Sequence, residues 1–505
     1  MSQTMTRTGD ARIEAKTYKN YIGGRWVESK SGKTFTSTNP AHKDQVLGVM
    51  QASNADDVNA AIEAAVKAFP GWRHTPPPAR GEICLKAALI IEQRKEELAR
   101  VMTQEMGKVL KEARGDVQEA IDMGKYAAGL GRHPHGETVP SELKNKWCMT
   151  VRAPLGVIAC ITPWNFPMAI PSWKIFPALM AGNTVVFKPA SDTPIVATRL
   201  VEIFEEAGLP GGVLNLVTGS GAEVGDVLVR DPRVQGISFT GSTAAGKHIA
   251  EIAGRNLKRL GLELGGKNAI VVLDDADVPL AVDGALWAAF GTSGQRCTAA
   301  SRLIVDRRVE KDFIDLLQER AGKMKVGDGL QPDTDMGPVI NEGALKKVHE
   351  YTEIGKKEHA RLVHGGDFAG SEGWFYRPTI FADGRKDMRM AQEEIFGPST
   401  LVMPVSNLDE ALEVANSTQY GLSMSIYTND LRKAFHAMEE MQSGIVYVNA
   451  PTIGAEIQLP FGGVKNTGNG HREAGTVALD EFTEWKTIYV DYSGRLQRAQ
   501  IDTGE

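Results

Sequence analysis

Residues 183–221 read NTVVFKPASDTPIVATRLVEIFEEAGLPGGVLNLVTGSG. NTVVFKP is a short apolar run that ends on a charge, and VLNLVTGSG is a second apolar run that ends in glycines. Between them the pattern predicts a helix from Thr193 to Ala207. Strand, helix, strand in so few residues predicts a parallel sheet with helices on its faces. The pattern extends both ways. Upstream, GVIACITPW (156–164) reads as a buried strand. Downstream, QGISFTGST (235–243) reads as a fourth strand, followed by a helix from Ala244 to Leu257 and then LGLELGGKN (260–268).

Residues 268–450 repeat the theme. NAIVVLD, SRLIVD, STLVMPV, SMSIYTN and GIVYVNA read as strands, and VEKDFIDLLQERAGKM as a long helix. This is a second α/β unit. The front of the chain differs. Residues 18–50 read as short strands and turns. Val58, Ala61, Ile62 and Ala65 recur at helical spacing within a helix from Asn54 to Val66. Two amphipathic helices follow, Arg80 to Met106 and Gly107 to Leu130. The stretch 133–154 reads as an extended arm. The tail, 482–505, reads as one strand plus a polar extension, suited to completing a neighbour's sheet.

At 505 residues the chain exceeds a single hydrophobic core, so about two to four domains are expected. A net charge of -6, from 57 basic and 63 acidic residues, leaves no electrostatic footprint for nucleic acid or an anionic membrane. No metal site is expected, because Cys84, Cys148, Cys160 and Cys297 are scattered without a CxxC pair. The N-terminal MSQTMTRTGDARIEAK lacks a signal peptide's apolar core, and no apolar run of about 18 residues stands out. The expected compartment is the cytoplasm, where thiols stay reduced.

Parallel sheets bind ligands at the carboxyl ends of their strands. Three such ends suit a dinucleotide. VTGSGAEVG places Gly219, Gly221 and Gly225 in a GxGxxxG spacing that departs from the usual GxGxxG fingerprint. SFTGST places Gly241 and Ser242 where a strand turns into a helix, so backbone N–H groups face a potential anion. Taken singly, each is equally well a tight turn with an ordinary helix cap. Lys188, closing a buried strand, suits a ribose or phosphate contact better than packing. GTSGQRCTAASR (291–302) sets Cys297 among small residues. Most cysteines are inert core residues, but this setting suits an exposed thiolate.

These motifs carry a resemblance. TPWNFP (162–167), VVFKPAS (185–191), FTGST (239–243), LELGGKN (262–268), GQRCTA (294–299), EEIFGP (393–398) and LPFGG (459–463) stand in the order and spacing of the aldehyde dehydrogenase superfamily. The chain resembles its NAD(P)-dependent, non-acylating members over roughly residues 18–490. The resemblance implies two doubly wound Rossmann-like domains, cofactor-binding and catalytic, plus a small β oligomerisation element. The implied division is 1–128 and 149–262 for the dinucleotide domain and 263–458 for the catalytic domain. Residues 129–148 and 480–505 form the oligomerisation arm and strand, and 459–479 return to the cofactor domain. A homodimer or homotetramer is implied.

It also implies oxidation of an aldehyde to an acid through a thiohemiacetal and a thioester. Cys297 matches the nucleophile, Glu263 the general base and Asn165 the side-chain oxyanion donor. Glu473, in REAG, matches a glutamate associated with proton release, with His471 as an addition before the arginine. Thr162, Trp164, Lys188, Gly221, Gly225, Phe239, Gly241, Ser242, Gly265, Glu394 and Phe396 fall at cofactor positions. Ser191 stands where many NAD-preferring relatives have a glutamate, so NADP is expected to be accepted alongside NAD. Ile170, Trp173, Ile453 and Phe461 are expected along the aldehyde passage. Arg296 either reads a carboxylate on the substrate or makes a structural ion pair, and a ω-semialdehyde of a dicarboxylic acid is the first expectation. A cofactor-free cysteine hydrolase, a coenzyme A-acylating dehydrogenase and a non-catalytic protein are the competing readings.

Overall fold

A computed structural model describes residues 15–133 and 135–502; the polar N-terminal stretch read above as lacking a signal peptide lies almost wholly outside them. Two seven-stranded sheets dominate. The first runs Arg259–Glu263, Val234–Thr240, Val157–Ile161, Thr184–Lys188, Leu214–Leu216, Asn20–Ile22, Arg25–Val27. Its first five strands are parallel, and the last two join antiparallel. Val157–Ile161 and Thr184–Lys188 are buried at every position, which is why they read as continuous apolar runs. The expected helix after NTVVFKP spans Pro194–Glu206.

The second sheet runs Arg361–His364, Thr379–Ala382, Ser399–Val405, Ala300–Asp306, Asn268–Val272, Ser423–Tyr427, Ile445–Val448. Only Arg361–His364 is antiparallel to its neighbour. This strand and Thr379–Ala382 were not foreseen, since four-residue segments carry too little periodicity to register. The expected helix from Arg80 to Met106 is two helices, Pro77–Gln93 and Lys95–Met106, broken at Arg94. The first helix runs on to His74, started by a capping box of Asn54 and Asp57.

The arm and the tail meet. Lys146–Pro154 pairs antiparallel with Thr483–Asp491 along nine residues, and Thr138–Val139 adds a short third strand. Trp147, Trp485 and Tyr489 on this small sheet are exposed. Among the described residues, no helix is long and apolar enough to cross a membrane, and no cluster of His, Cys, Asp and Glu is placed to hold a metal ion.

Candidate active site

In the first sheet the chain leaves Val157–Ile161 toward Thr184–Lys188, then crosses back to Val234–Thr240 on the other side. The loops at the strand ends therefore diverge, and a crevice opens between them. A cavity of ≈ 510 Å³ occupies that crevice, and Cys297, just before the strand Ala300–Asp306, with Glu394 and Phe396, just before Ser399–Val405, line it from the second sheet's side. Thr162, Trp164, Lys188, Gly221, Gly225 and Phe239 line it, as do Gly241, Ser242, Gly265, Glu394 and Phe396. Asn165, Ile170 and Cys297 lie on the same wall.

Each wall element has a local cause. Ser242 caps the helix Thr243–Arg255 by accepting from the Ala245 N–H at 3.3 Å. A Cβ on Gly241 would stand 2.6 Å from the Phe239 ring, so this turn requires glycine. A Cβ on Gly265 would meet Glu394 Oε2 at 2.5 Å. Glu394 is held by the Gly266 N–H at 2.8 Å. The Thr162 and Thr240 hydroxyls, both on the wall, are buried without a hydrogen-bond partner. A buried unsatisfied polar group costs about 1–3 kcal/mol, so these hydroxyls fit a wall that a polar ligand covers. Burial pushes the Lys188 ammonium down to about 8, although Asp192 opposes the shift. Among the described residues its Nζ donates only to the Pro189 carbonyl, at 3.0 Å. These donors, glycines and the open space beside Gly221 fit a dinucleotide.

Ser191 is not on the wall; its hydroxyl donates to the Gly219 carbonyl at 3.1 Å, and Ala190 faces the cavity instead. The wall also holds residues that no motif marks, three of them ionisable: Asp226, His248 and Lys347. They sit on three separate helices, where no motif links them.

Cys297 follows a left-handed turn. Thr292, Ser293 and Gly294 have φ of 53°, 57° and 68°. For a β-branched threonine this conformation costs on the order of 1–3 kcal/mol and needs outside support. Glu112, on the helix Leu110–Leu130, supplies it: both carboxylate oxygens accept from the Thr292 N–H at 2.9 Å. Ser293 Oγ donates to the Gly337 carbonyl at 2.7 Å, and Gln295 Oε1 accepts from the Ile340 N–H at 2.9 Å. Asn165 Nδ2 donates to the Gln295 carbonyl at 3.0 Å, tying the first sheet's loop to the turn before Cys297. Trp164 and Phe396 meet edge to face at 5.5 Å beside them.

Burial pushes the Cys297 thiol up to about 12, helped by the negative fields of Glu263, Glu394 and Glu473. Glu263, at the end of Arg259–Glu263, is 4% exposed, and its Oε2 has no partner among the described residues. Burial, then the charge of Glu473, raises its carboxyl well above the usual range. Glu473 lies off the cavity wall. It is buried in an ion pair with Lys174, and its backbone exchanges two hydrogen bonds with Phe461.

The expected substrate residues separate. Ile170 is on the wall. Trp173 and Phe461 pack edge to face at 5.1 Å, within the first sheet's core. Ile453 is 3% exposed, packed in the second sheet's hydrophobic cluster, and does not line this cavity. Arg296 makes a structural ion pair: Nη2 meets Glu112 at 3.0 Å, Nε donates to Thr292 Oγ1 at 3.0 Å, and the guanidinium lies 5.2 Å from the Phe166 ring. Its Nη1 has no hydrogen-bond partner among the described residues.

Comparison with known proteins agrees with this geometry. The family model of the aldehyde dehydrogenase family matches residues 26–488. The 2,5-dioxopentanoate dehydrogenase of Saccharolobus solfataricus is 44% identical over 93% of this chain and 99% of its own. The alpha-ketoglutarate semialdehyde dehydrogenase of Haloferax volcanii is 45% identical over 94% of this chain and 99% of its own. Betaine aldehyde dehydrogenase from Staphylococcus aureus, solved in complex with NAD+, superposes with a TM-score of 0.92 at 36% identity, covering 95% of this chain and 96% of that one. The chain belongs to the aldehyde dehydrogenase family, oxidoreductases acting on aldehydes.

Proposed function

We propose that this protein oxidises a carboxylate-bearing semialdehyde to the dicarboxylic acid at Cys297, with NAD or NADP in the crevice. The observation that carries the reading is the meeting of Cys297, Asn165 and the strand-end crevice on one wall. Bound in the crevice, a nicotinamide dinucleotide supplies the hydride acceptor. The protein's residues do the rest. Glu263 takes the Cys297 thiol proton as Sγ adds to the aldehyde carbon, and the thiohemiacetal that forms splits one hard step into two. The free hydrogen of the Asn165 amide and the Cys297 backbone N–H face the developing oxyanion. After oxidation the acyl group remains as a thioester on Cys297. Glu263 takes a proton from water, the hydroxide attacks the thioester carbon, and the acid leaves as the thiolate is restored. A base whose proton affinity burial has raised suits that task near neutral pH. Lys188, Gly241, Ser242 and Glu394 hold the cofactor in this reading, and Glu473 with Lys174 receives the proton behind Glu263.

The substrate class draws on the relatives. Three of them, at 42–45% identity, are named for 2,5-dioxopentanoate or α-ketoglutarate semialdehyde. That molecule is a ω-semialdehyde with a carboxylate at its far end. The unpaired Nη1 of Arg296 is the cationic donor nearest the nucleophile in sequence, and it can take that carboxylate while Nε and Nη2 stay anchored. Ser191 places no acidic side chain against a 2′-phosphate, so NADP is accepted as well as NAD. In this reading 1–128 and 149–262 hold the cofactor and 263–458 the nucleophile. The paired arm and tail strand extend a neighbouring subunit's sheet, giving a homodimer or homotetramer, and the reduced thiols suit the cytoplasm.

Absorbance at 340 nm tests this with 2,5-dioxopentanoate, succinate semialdehyde, hexanal and benzaldehyde, each with NAD and NADP, with and without coenzyme A. The semialdehydes should show the highest kcat/KM, NADP should fall within tenfold of NAD, and coenzyme A should be unnecessary. In Arg296→Ala the semialdehydes should lose their advantage over hexanal. An unchanged ratio would remove Arg296 from substrate recognition.

A further inference from the structure

The loop that carries Asn165 is held from behind by two buried charges. Thr162, Pro163, Trp164, Asn165 and Ile170 line the cavity, whereas Phe166 does not. Phe166 instead meets Lys108, whose Nζ lies 3.8 Å from the centre of its ring. Lys108 stands between the helices Lys95–Met106 and Leu110–Leu130, just after the left-handed Gly107 at φ 94°. Its Nζ donates to Asp116 Oδ2 at 2.8 Å, and both side chains are 0% exposed. The other oxygen, Asp116 Oδ1, accepts from the Ala169 N–H at 2.7 Å. Ala169 opens the helix Ala169–Ala181, whose own Met168 makes no side-chain cap. A carboxylate there meets an orphan N–H and the positive end of the helix dipole. The chain after Asn165 is thus gripped at two points, Phe166 and Ala169.

The same helix face holds the segment that leads to Cys297. Glu112, one turn before Asp116 on Leu110–Leu130, accepts from the Thr292 N–H and pairs with Arg296. The Arg296 guanidinium lies near the same Phe166 ring, 5.2 Å from its centre. Two cations therefore share one ring, and each has its own carboxylate on one helix. The Asn165 amide and the Cys297 N–H come from separate loops, and Asp116 and Glu112 hold those loops against one rigid element. A buried ion pair is weak evidence for stability, because desolvation offsets its attraction. It does fix geometry, since neither charge has water to replace its partner. Geometry matters here, because a misplacement of about 1 Å can cost about 100-fold in rate.

We propose that Lys108 and Asp116 are positioning residues for Asn165: the pair clamps Phe166 and Ala169 so that the Asn165 amide points at the developing oxyanion. The proposal rests on Asn165 being an oxyanion donor. Neither Lys108 nor Asp116 lines the cavity. Both act through the loop between Asn165 and Ala169.

A double-mutant cycle on the full-length enzyme tests this, with kcat measured at saturating NAD and the best aldehyde of the panel above. Lys108→Met keeps the apolar stem and removes the charge. It should lower kcat about tenfold in the wild-type background and less than about twofold in the Asn165→Ala background. A clamp that works through Asn165 has nothing left to lose once that amide is gone. A pair that only holds the fold together would lower kcat by the same factor in both backgrounds, and that result overturns the proposal. Asp116→Asn keeps an acceptor for the Ala169 N–H and loses the ion pair. It should show the same contrast, and it completes the cycle if Lys108→Met does not fold. Unchanged kcat in both Lys108→Met and Asp116→Asn also overturns the proposal. Lys108→Arg, which keeps a cation for the ring and the carboxylate, should recover most of kcat. Asn165→Ala alone separates the two readings. If kcat falls less than about tenfold there, Asn165 is not an oxyanion donor and both readings fail. If it falls further but the cycle gives equal factors, only the role of Lys108 and Asp116 fails.

Discussion

Asn165 has two amide hydrogens and one fixed partner. The Gln295 carbonyl fixes Nδ2 at 3.0 Å and leaves the second hydrogen for the cavity. A donor preorganised in this way stabilises an oxyanion without paying to reorient, and losing one such donor typically costs about 2.7–4 kcal/mol. Asn165→Ala should therefore lower kcat about 100- to 1,000-fold, with little change in cofactor affinity measured by fluorescence titration. A fall of less than tenfold would remove Asn165 from the oxyanion site. The identity of this residue was legible in TPWNFP. Its orientation was not, because the carbonyl that holds it lies 130 positions away.

At the scale of elements, the turn before Cys297 depends on a helix from elsewhere in the chain. Glu112 binds the Thr292 N–H with both oxygens and Arg296 with one, and its side chain is 12% exposed. Removing one partner of a buried pair leaves the other uncompensated, at a cost of roughly 3–5 kcal/mol. The left-handed Thr292 would then lose its main support. Glu112→Ala should lower both the thermal midpoint and kcat, whereas Glu112→Gln, which keeps an acceptor for the Thr292 N–H, should recover more of kcat than of the midpoint. Equal activity in Glu112→Ala and wild type, followed by cofactor reduction, would show that the turn holds itself. Nothing in LKEARGDVQEA singled out Glu112. It reads as one more charge on an amphipathic helix, and only packing turns it toward the turn. Glu105 is a parallel case. It accepts the Ile195 and Val196 N–H groups at 2.8 Å and so caps the helix Pro194–Glu206, whose own Thr193 makes no side-chain cap. The break at Arg94 is equally silent in the sequence, since neither glycine nor proline marks it.

For the whole molecule, the arm and tail form a three-stranded sheet with Trp147, Trp485 and Tyr489 exposed at 56%, 56% and 65%. Large aromatics left in water on a sheet with an open edge are a liability that natural proteins cover. Sedimentation of the wild type should give a dimer or tetramer, and Trp147→Glu with Tyr489→Glu should shift it toward monomer. A wild-type monomer at micromolar concentration would leave that surface without its partner.

The sequence by itself determined the two parallel sheets, because buried parallel strands must be continuous apolar runs, and NTVVFKP, GVIACITPW and NAIVVLD are such runs. The glycines of the crevice and the setting of Cys297 among small residues are legible there too, because both are local, whereas the nucleophile's role for Cys297 is what the family resemblance implies. Folding alone anchors Arg296 on Glu112, places Ile453 in a core cluster and pairs the buried Lys174 with Glu473. Those outcomes rest on which charges burial brings together across hundreds of positions, and charge pairing at that range leaves no periodicity in the chain.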